Sequence, residues 1–269
     1  MSQNERYTID VLSVTFDILE FLAAQEEDHI TVTMLAKELN LNRTRVYRII
    51  KSLEYRGYIE FLKGTKIIRL GPKLLVLQTK VWEQIDVRIA AERQGLDLAK
   101  STGDSARLYL PLEGKAYLVD GFPGTNLLRV EHPPYVFYPM HIGASPKVIL
   151  AYLAETERQM ILQTMELTSY TSKTITDLDE LQRRLVLIRS RGYEVAFEDM
   201  IDGVWAIGAP IFNRERRVVA SLELIMPTAR WSEEEQEYLV KEVVSRADQV
   251  TQILRSGRTL SPTSIWGKF

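Results

Sequence analysis

Between residues 42 and 73 stand nine lysines and arginines (Arg43, Arg45, Arg48, Lys51, Arg56, Lys63, Lys66, Arg69 and Lys73) against two acids, Glu54 and Glu60. This excess of about seven positive charges lies in a chain of formal net charge −2. The 41 residues before it carry two basic and eight acidic side chains, so the block is sharply bounded. A cationic surface of this density can neutralise phosphates. The plainer reading is a solvated basic face, and what weighs against it is the pattern in which the charges sit.

That pattern is three helices and a hairpin. Residues 9–22 place Val11, Leu12, Val14, Ile18, Leu19 and Leu22 mostly three and four apart, as an amphipathic helix does. Thr31 or Thr33 can cap a second helix with Leu35, Ala36 and Leu39 inward. After a short turn, Asn42 is placed as N-cap of a third helix. There Val46, Ile49, Ile50, Leu53 and Gly57 form the core face, and Thr44, Arg45, Tyr47, Arg48, Lys51, Ser52 and Tyr55 the opposite one. Residues 58–62, a turn at 63–66 and residues 67–70 then read as a two-stranded wing tipped by lysines. The whole is a winged helix-turn-helix with a basic second helix.

Such a helix fits the major groove, its N-terminal residues reaching base edges while neighbouring cations hold the backbone. The leading contacts are therefore Arg43, Thr44, Arg45 and Arg48, followed by Tyr47, Lys51 and Ser52, with Lys63 and Lys66 on phosphate. A winged helix used only for protein contact is the competing reading. An RNA-binding version lacks the aromatic-studded sheet motif of the usual RNA modules.

The remaining sequence bounds the class. At 269 residues, 45% hydrophobic and 26% charged, the chain suits one or two soluble globular domains. With no cysteine it can have no disulfide, thiolate nucleophile or cysteine-based metal site. The start lacks a signal-peptide core, and the longest apolar run, residues 148–154, is too short for a bilayer, so a cytoplasmic location with no membrane partner is expected. His29, His132 and His141 are scattered, leaving neither metal spacing nor a histidine-based triad, and residues 143–147 lack the spacing of a phosphate-binding loop. No catalytic residue, metal or cofactor is assigned. Glu198, Asp199 and Asp202 read as a solvated acidic loop, and His141 as a structural histidine.

Four segments are expected: a DNA-binding domain at 1–71, a linker helix at 72–88, an α/β domain at 89–255 and a tail at 256–269 with Trp266 as an anchor. The third reads as helices at 89–100, 145–154, 177–191 and 232–254. Its strands read as 106–112, 116–120, 127–131, one opening at 192–195, 204–211 and 218–225. Ser232 and Glu235 form a capping box. The fold class is α+β.

Several blocks then carry a resemblance. Asn42-Arg43-Thr44-Arg45-Val46-Tyr47-Arg48 and its continuation to Tyr58, Ile68-Arg69-Leu70-Gly71-Pro72, and Ala144-Ser145-Pro146-Lys147 are three of them. Arg191-Gly192-Tyr193 with Gly203 and Ala209-Pro210-Ile211, and the run from Val218 to Arg230, complete the set. In order and spacing they resemble the IclR family of bacterial transcriptional regulators. The resemblance implies an N-terminal winged helix-turn-helix domain, a linker helix, a GAF-like effector-binding and oligomerisation domain, and a homodimer or dimer of dimers (a homotetramer) on a double-stranded operator.

It also implies an effector site, at which this chain departs from its relatives. The family's Ala-Ser-Gly-Lys loop, whose N–H groups can hold a carboxylate, here carries Ala144 and Ser145 followed by Pro146, which has no N–H. Pocket positions that commonly carry an Asp, a Cys and two Ser correspond to Ala196, Ala206, Glu223 and Ile225. A charge at Glu223 would repel a carboxylate ligand. Two readings follow: a larger, less anionic or cationic effector, or a pocket filled by side chains. By alternation Val204 and Gly208 share the face of Ala206, and Ser221 and Ile225 that of Glu223, while residues 135–141 could add aromatic lining. Function is thus expected to be sequence-specific transcription regulation under a small-molecule effector. The alternatives are a regulator with a protein partner and no effector, and a hydrolytic C-terminal domain.

Overall fold

The computed structural model describes residues 9–25, 29–84, 86–131 and 134–256, with residues 79–84 described by their backbone alone. The expected tail beyond Ser256, Trp266, His132 and the first eight residues lie outside this description. The chain divides into two compact units after Gln84, and no described helix is long and apolar enough to cross a membrane.

The first unit begins with α1 (Asp10–Ala24), α2 (Val32–Glu38) and α3 (Arg43–Tyr55). Thr31 caps α2 by accepting the Met34 N–H at 3.3 Å, and Asn42 caps α3 from the N–H groups of Thr44 and Arg45 at 2.9 and 3.4 Å. These side-chain oxygens serve donors that a helix start leaves without internal partners. Ile18, Leu35, Val46, Ile49, Ile50 and Leu53 meet in one apolar core with Ile59 and Ile68 of the wing. The wing is an antiparallel pair, β1 (Ile59–Phe61) and β2 (Ile68–Leu70). Gly57 turns the chain into it at φ +79°. A Cβ on Gly71 would lie 2.3 Å from the Gly57 carbonyl oxygen, so only glycine allows the wing to return this close before α4 (Lys73–Gln84).

The second unit starts with α5 (Asp86–Thr102), three residues earlier than the periodicity suggests, with Asp86 in its acid-favouring first turn. The strands are β3 (Ser105–Leu112), β4 (Lys115–Phe122), β5 (Val136–Tyr138), β6 (Glu194–Phe197), β7 (Val204–Phe212) and β8 (Val218–Pro227). They form one sheet in the order β5-β4-β3-β8-β7-β6, every neighbour antiparallel. The helices are α6 (Ala144–Tyr152), α7 (Glu155–Thr164), α8 (Leu178–Arg191) and α9 (Glu233–Ser256). α5 and α9 pack on each other and on the sheet, while α6 packs on β7, β8 and α8. Mixed helix and sheet in this arrangement is the expected α+β class.

Two expectations fail here. Residues 127–131 form no strand: Leu127 and Leu128 are exposed, and the third sheet partner is instead the short β5. Apolar residues without a neighbouring strand have no ladder to join. Helix α7 was not expected, because of its ten residues only Leu162 is buried and the apolar stripe is too thin to read. The cap at Ser232 is as expected, its hydroxyl accepting the Glu235 N–H at 3.1 Å.

Candidate functional site

On the first unit, the Asn42 cap fixes where α3 begins and therefore which side chains its first turns present. Arg43, Thr44, Tyr47, Arg48, Lys51 and Ser52 are exposed; Arg45 is half-buried. Lys63 and Lys66 stand exposed in the turn between β1 and β2. Three of the cations in this block are engaged: Arg45 with Asp10 of α1, Lys51 with Glu54 at 2.7 Å, and Arg69 with its cross-strand neighbour Glu60 at 2.6 Å. The Glu54 hydrogen bond raises the Lys51 pKa, and its ammonium also lies 4.8 Å from the Phe61 ring centre. Ser52 donates its hydroxyl back to the Arg48 carbonyl at 2.9 Å. Arg43, Arg48, Lys63 and Lys66 have no ion pair among the described residues. Hence the helix offers Arg43 and Arg48 freely, whereas Arg45, ranked beside them by sequence, is tied to α1.

On the second unit, sheet register builds the site. Arg107, Glu223, Gly208 and Glu194 are successive partners across β3, β8, β7 and β6. The next row on the same face, two residues on, is Ser105, Ile225, Ala206 and Ala196. Helix α6 lies over these rows because Gly208 has no side chain: a Cβ there would be 2.9 Å from the Ser145 nitrogen and 3.0 Å from the Ala144 carbonyl carbon. Gly143, at φ +68°, turns the chain into α6. Ala144 packs with Ala196, Ala206 and Ile225. The Ser145 N–H donates to Glu223 Oε2 at 2.9 Å, and its hydroxyl donates to Ser221 at 2.8 Å.

A cavity of about 30 Å³ remains, lined by Ala196, Ala206, Glu223 and Ile225 together with Arg107, Tyr109, Tyr138, Pro146 and Met200. Ala144 and Ser145 do not line it but touch its lining, Ala144 against Ala196, Ala206 and Ile225 and Ser145 through its N–H to Glu223. All six sequence-assigned positions are therefore brought together. Arg107 (3% exposed) pairs with Glu223 (2% exposed) at 3.9 Å, and its Nη2 has no hydrogen-bond partner among the described residues. Burial pushes the Glu223 carboxyl above the ordinary carboxylate value, opposed by Arg107, the Ser145 N–H and Tyr109. Arg107 escaped the sequence reading, although a charge inside the alternating run Ala106-Arg107-Leu108-Tyr109 is the signal that could have found it. Arg107 also borders a wider cleft of about 620 Å³, lined in part by Asp120, Phe122, Arg129 and Glu131.

Asp199 overturns the expectation of a solvated acidic loop. It is 6% exposed, accepts the Gly143 N–H at 3.2 Å, and pairs with Lys147 at 2.7 Å. Lys147 also meets the fully buried Glu194 at 3.0 Å, which Arg184 and Arg191 contact in turn. Glu198 of the same loop pairs with Lys173, and that hydrogen bond leads in lowering its carboxyl pKa; Asp202 is exposed. His141 is buried with Nε2 2.9 Å from the Thr168 carbonyl oxygen, while its Nδ1 has no hydrogen-bond partner among the described residues. Among the described residues no group of His, Asp or Glu is arranged to hold a metal ion.

Comparison with known proteins meets this geometry on both units. Residues 11–63 match the IclR helix-turn-helix domain, and residues 79–252 match the bacterial transcriptional regulator IclR C-terminal domain. The HTH-type transcriptional regulator KipR of Bacillus subtilis is 28% identical over 223 residues, covering 83% of this chain and 89% of KipR. An IclR transcriptional regulator from Alicyclobacillus acidocaldarius has the same fold, with a TM-score of 0.78 at 25% identity, over 91% of this chain and 99% of that one. An IclR homologue from Microbacterium hydrocarbonoxydans, crystallised with 4-hydroxybenzoate, aligns with a TM-score of 0.76 at 19% identity, over 92% of this chain and all of that one. The two matches fall on the two units that carry the basic helix and the cavity: the chain belongs to the IclR family of bacterial transcriptional regulators, DNA-binding proteins with a C-terminal effector-binding domain.

Proposed function

We propose that this regulator reads a two-fold symmetric operator as a homodimer or dimer of dimers, in the cytoplasm, and that a small molecule in the C-terminal domain sets its operator affinity. The observation that carries the DNA half is the exposure of Arg43 and Arg48 on the first turns of α3 with no ion pair among the described residues. In this reading Arg43, Thr44 and Arg48 meet base edges, Tyr47, Lys51 and Ser52 flank them, and Lys63 and Lys66 hold phosphate. Arg45 joins only by leaving Asp10. The DNA-binding domain is residues 1–71, the linker 72–88 and the effector domain 89–255. Coupling runs through the linker and requires the ligand to bind two arrangements of the DNA-binding domains with different affinity.

Ala144, Ser145, Ala196, Ala206, Glu223 and Ile225 are assigned to the effector site. The Microbacterium homologue's 4-hydroxybenzoate is an aromatic hydroxy acid, whereas here an internal carboxylate already faces Arg107. The effector in this reading is an uncharged molecule that offers an acceptor to Arg107 Nη2. The 30 Å³ cavity holds only water-sized guests. Such a molecule therefore displaces the residue 199–204 wall or reaches Arg107 from the 620 Å³ cleft, which is of ligand size. No catalytic step, metal or cofactor belongs to this reading.

The test is a salt-dependent titration of the full chain against the DNA upstream of its own gene, with random DNA as control. Preference for that fragment with a steep salt slope is expected. Equal binding to both, and no enrichment in a genomic selection, would overturn the proposal.

A further inference from the structure

The Glu223 carboxyl group lies between donors on two sides. One wall is the start of α6, where the Ser145 N–H belongs to the set of donors a helix leaves open at its N-terminus. Pro146, the next residue, contributes no N–H, and Ser145 points its own at Glu223 Oε2 from 2.9 Å. The other wall is Arg107, directly across the strand pair, 3.9 Å from Oε1. Its Nη2 is buried with no hydrogen-bond partner among the described residues, and Arg107 lines the cavity. Gly208 brings the two walls together by letting α6 rest on the sheet. A helix N-terminus and a buried guanidinium converging on one carboxylate make a carboxylate-binding seat, and the carboxylate in it is the chain's own.

We propose that Glu223 is a tethered ligand: its side chain fills the anion seat between Ser145 and Arg107, and thereby excludes free carboxylates from the wild-type pocket. The inference rests on reading this cavity as the effector site, and it names the class of molecule that the site refuses. It also makes a positive claim. Truncating Glu223 to alanine removes a CH₂–COO⁻ group, which matches acetate atom for atom, and leaves both walls in place. The truncated seat therefore accepts acetate.

The experiment follows the thermal unfolding of the full-length protein and of Glu223→Ala in acetate, with chloride at matched ionic strength as control, and measures acetate binding by calorimetry. Wild type is expected to show no response beyond the chloride control. Glu223→Ala is expected to melt lower than wild type and to recover saturably, with half-saturation on the order of millimolar for so small a ligand. Glu223→Gln, which fills the seat with a neutral group of the same size, is expected to stay unresponsive. A folded Glu223→Ala that ignores acetate overturns the proposal, as does a wild type that responds as strongly as the variant. If the variant does not fold, refolding it in acetate replaces the titration. Recovery in acetate but not chloride supports the seat, and failure in both, repeated with Glu223→Ser, overturns it. No DNA is involved, so the two readings fail separately. An intact acetate response without operator binding sinks only the regulator reading. Operator binding without an acetate response sinks only the tethered ligand.

Discussion

The two units handle charge in opposite ways. On α3 and the wing, Arg43, Arg48, Lys63 and Lys66 are exposed and have no ion pair among the described residues. Under α6, Lys147, Glu194, Asp199 and Arg107 are almost fully buried, and each has at least one opposite charge within 4 Å. An unpaired cation in water costs little and is ready to exchange its counterions for phosphates. A charge taken out of water is tolerated only when compensated. The first cluster is thus available to a partner outside the chain, while the second is committed to architecture. Glu223 stands between them, being compensated like the second cluster yet placed where a ligand would sit.

The largest break in this comparison comes from the buried side. Glu194→Gln takes a counter-charge from the buried Lys147, leaving it Asp199 alone, and from the partly exposed Arg184 and Arg191. Removing one member of such a group costs about 3–5 kcal/mol. Chemical denaturation is expected to show that loss, and a change under 1 kcal/mol would mean the cluster relaxes into solvent. On the exposed side the loss belongs to binding instead. Arg48→Ala is expected to weaken operator affinity by about 1–3 kcal/mol and to leave stability unchanged within about 0.5 kcal/mol. Operator affinity equal to wild type at moderate salt would remove Arg48 from the interface.

The smallest effect concerns pH. Arg107 and Tyr109 from β3, Tyr138 from β5, Asp199 and the Ser145 N–H all face Glu223. Burial dominates and raises its pKa, so in the folded chain the carboxyl holds its proton to higher pH than in the unfolded chain. Stability therefore falls as pH rises from the ordinary carboxylate range through the raised value, and levels off above it. Glu223→Gln lacks that contribution. The stability of wild type relative to Glu223→Gln is expected to decline across this window in parallel denaturant titrations. A difference that grows with pH would mean that Arg107 and Ser145 outweigh burial.

Sequence legibility follows the same division. The helix-turn-helix was readable because its determinants are local: the Asn42 cap, the spacing of Val46, Ile49, Ile50 and Leu53, and the lysines of the wing turn all lie within one short stretch. Alternation grouped Val204 and Gly208 with Ala206, and Ser221 and Ile225 with Glu223, whereas the choice of Ala206, Glu223 and Ile225 as pocket positions came from the resemblance. What could not be read was pairing at a distance. Asp199 looks solvated until Lys147, 52 residues away, is brought against it. Arg107 looks like an oddity of its strand until the β3–β8 register sets it opposite Glu223. Likewise Arg45 looked as free as Arg48, since nothing local to α3 announces Asp10 at the start of α1. Residues 127–131 had the composition of a strand but no neighbour to pair with.

Lys147 has a mechanical consequence. One ammonium joins Asp199, in the loop that walls the cavity, to Glu194 on the edge strand, and Glu194 is gripped by two arginines of α8. The wall is therefore not a flap that swings by itself. Drawing Asp199 away strips a counter-charge from Lys147, and the imbalance falls on Glu194 and its arginines. A guest that parts the wall must pull on the edge strand and on α8 in the same motion, so the lysine works as a rivet through the loop, the strand and the helix.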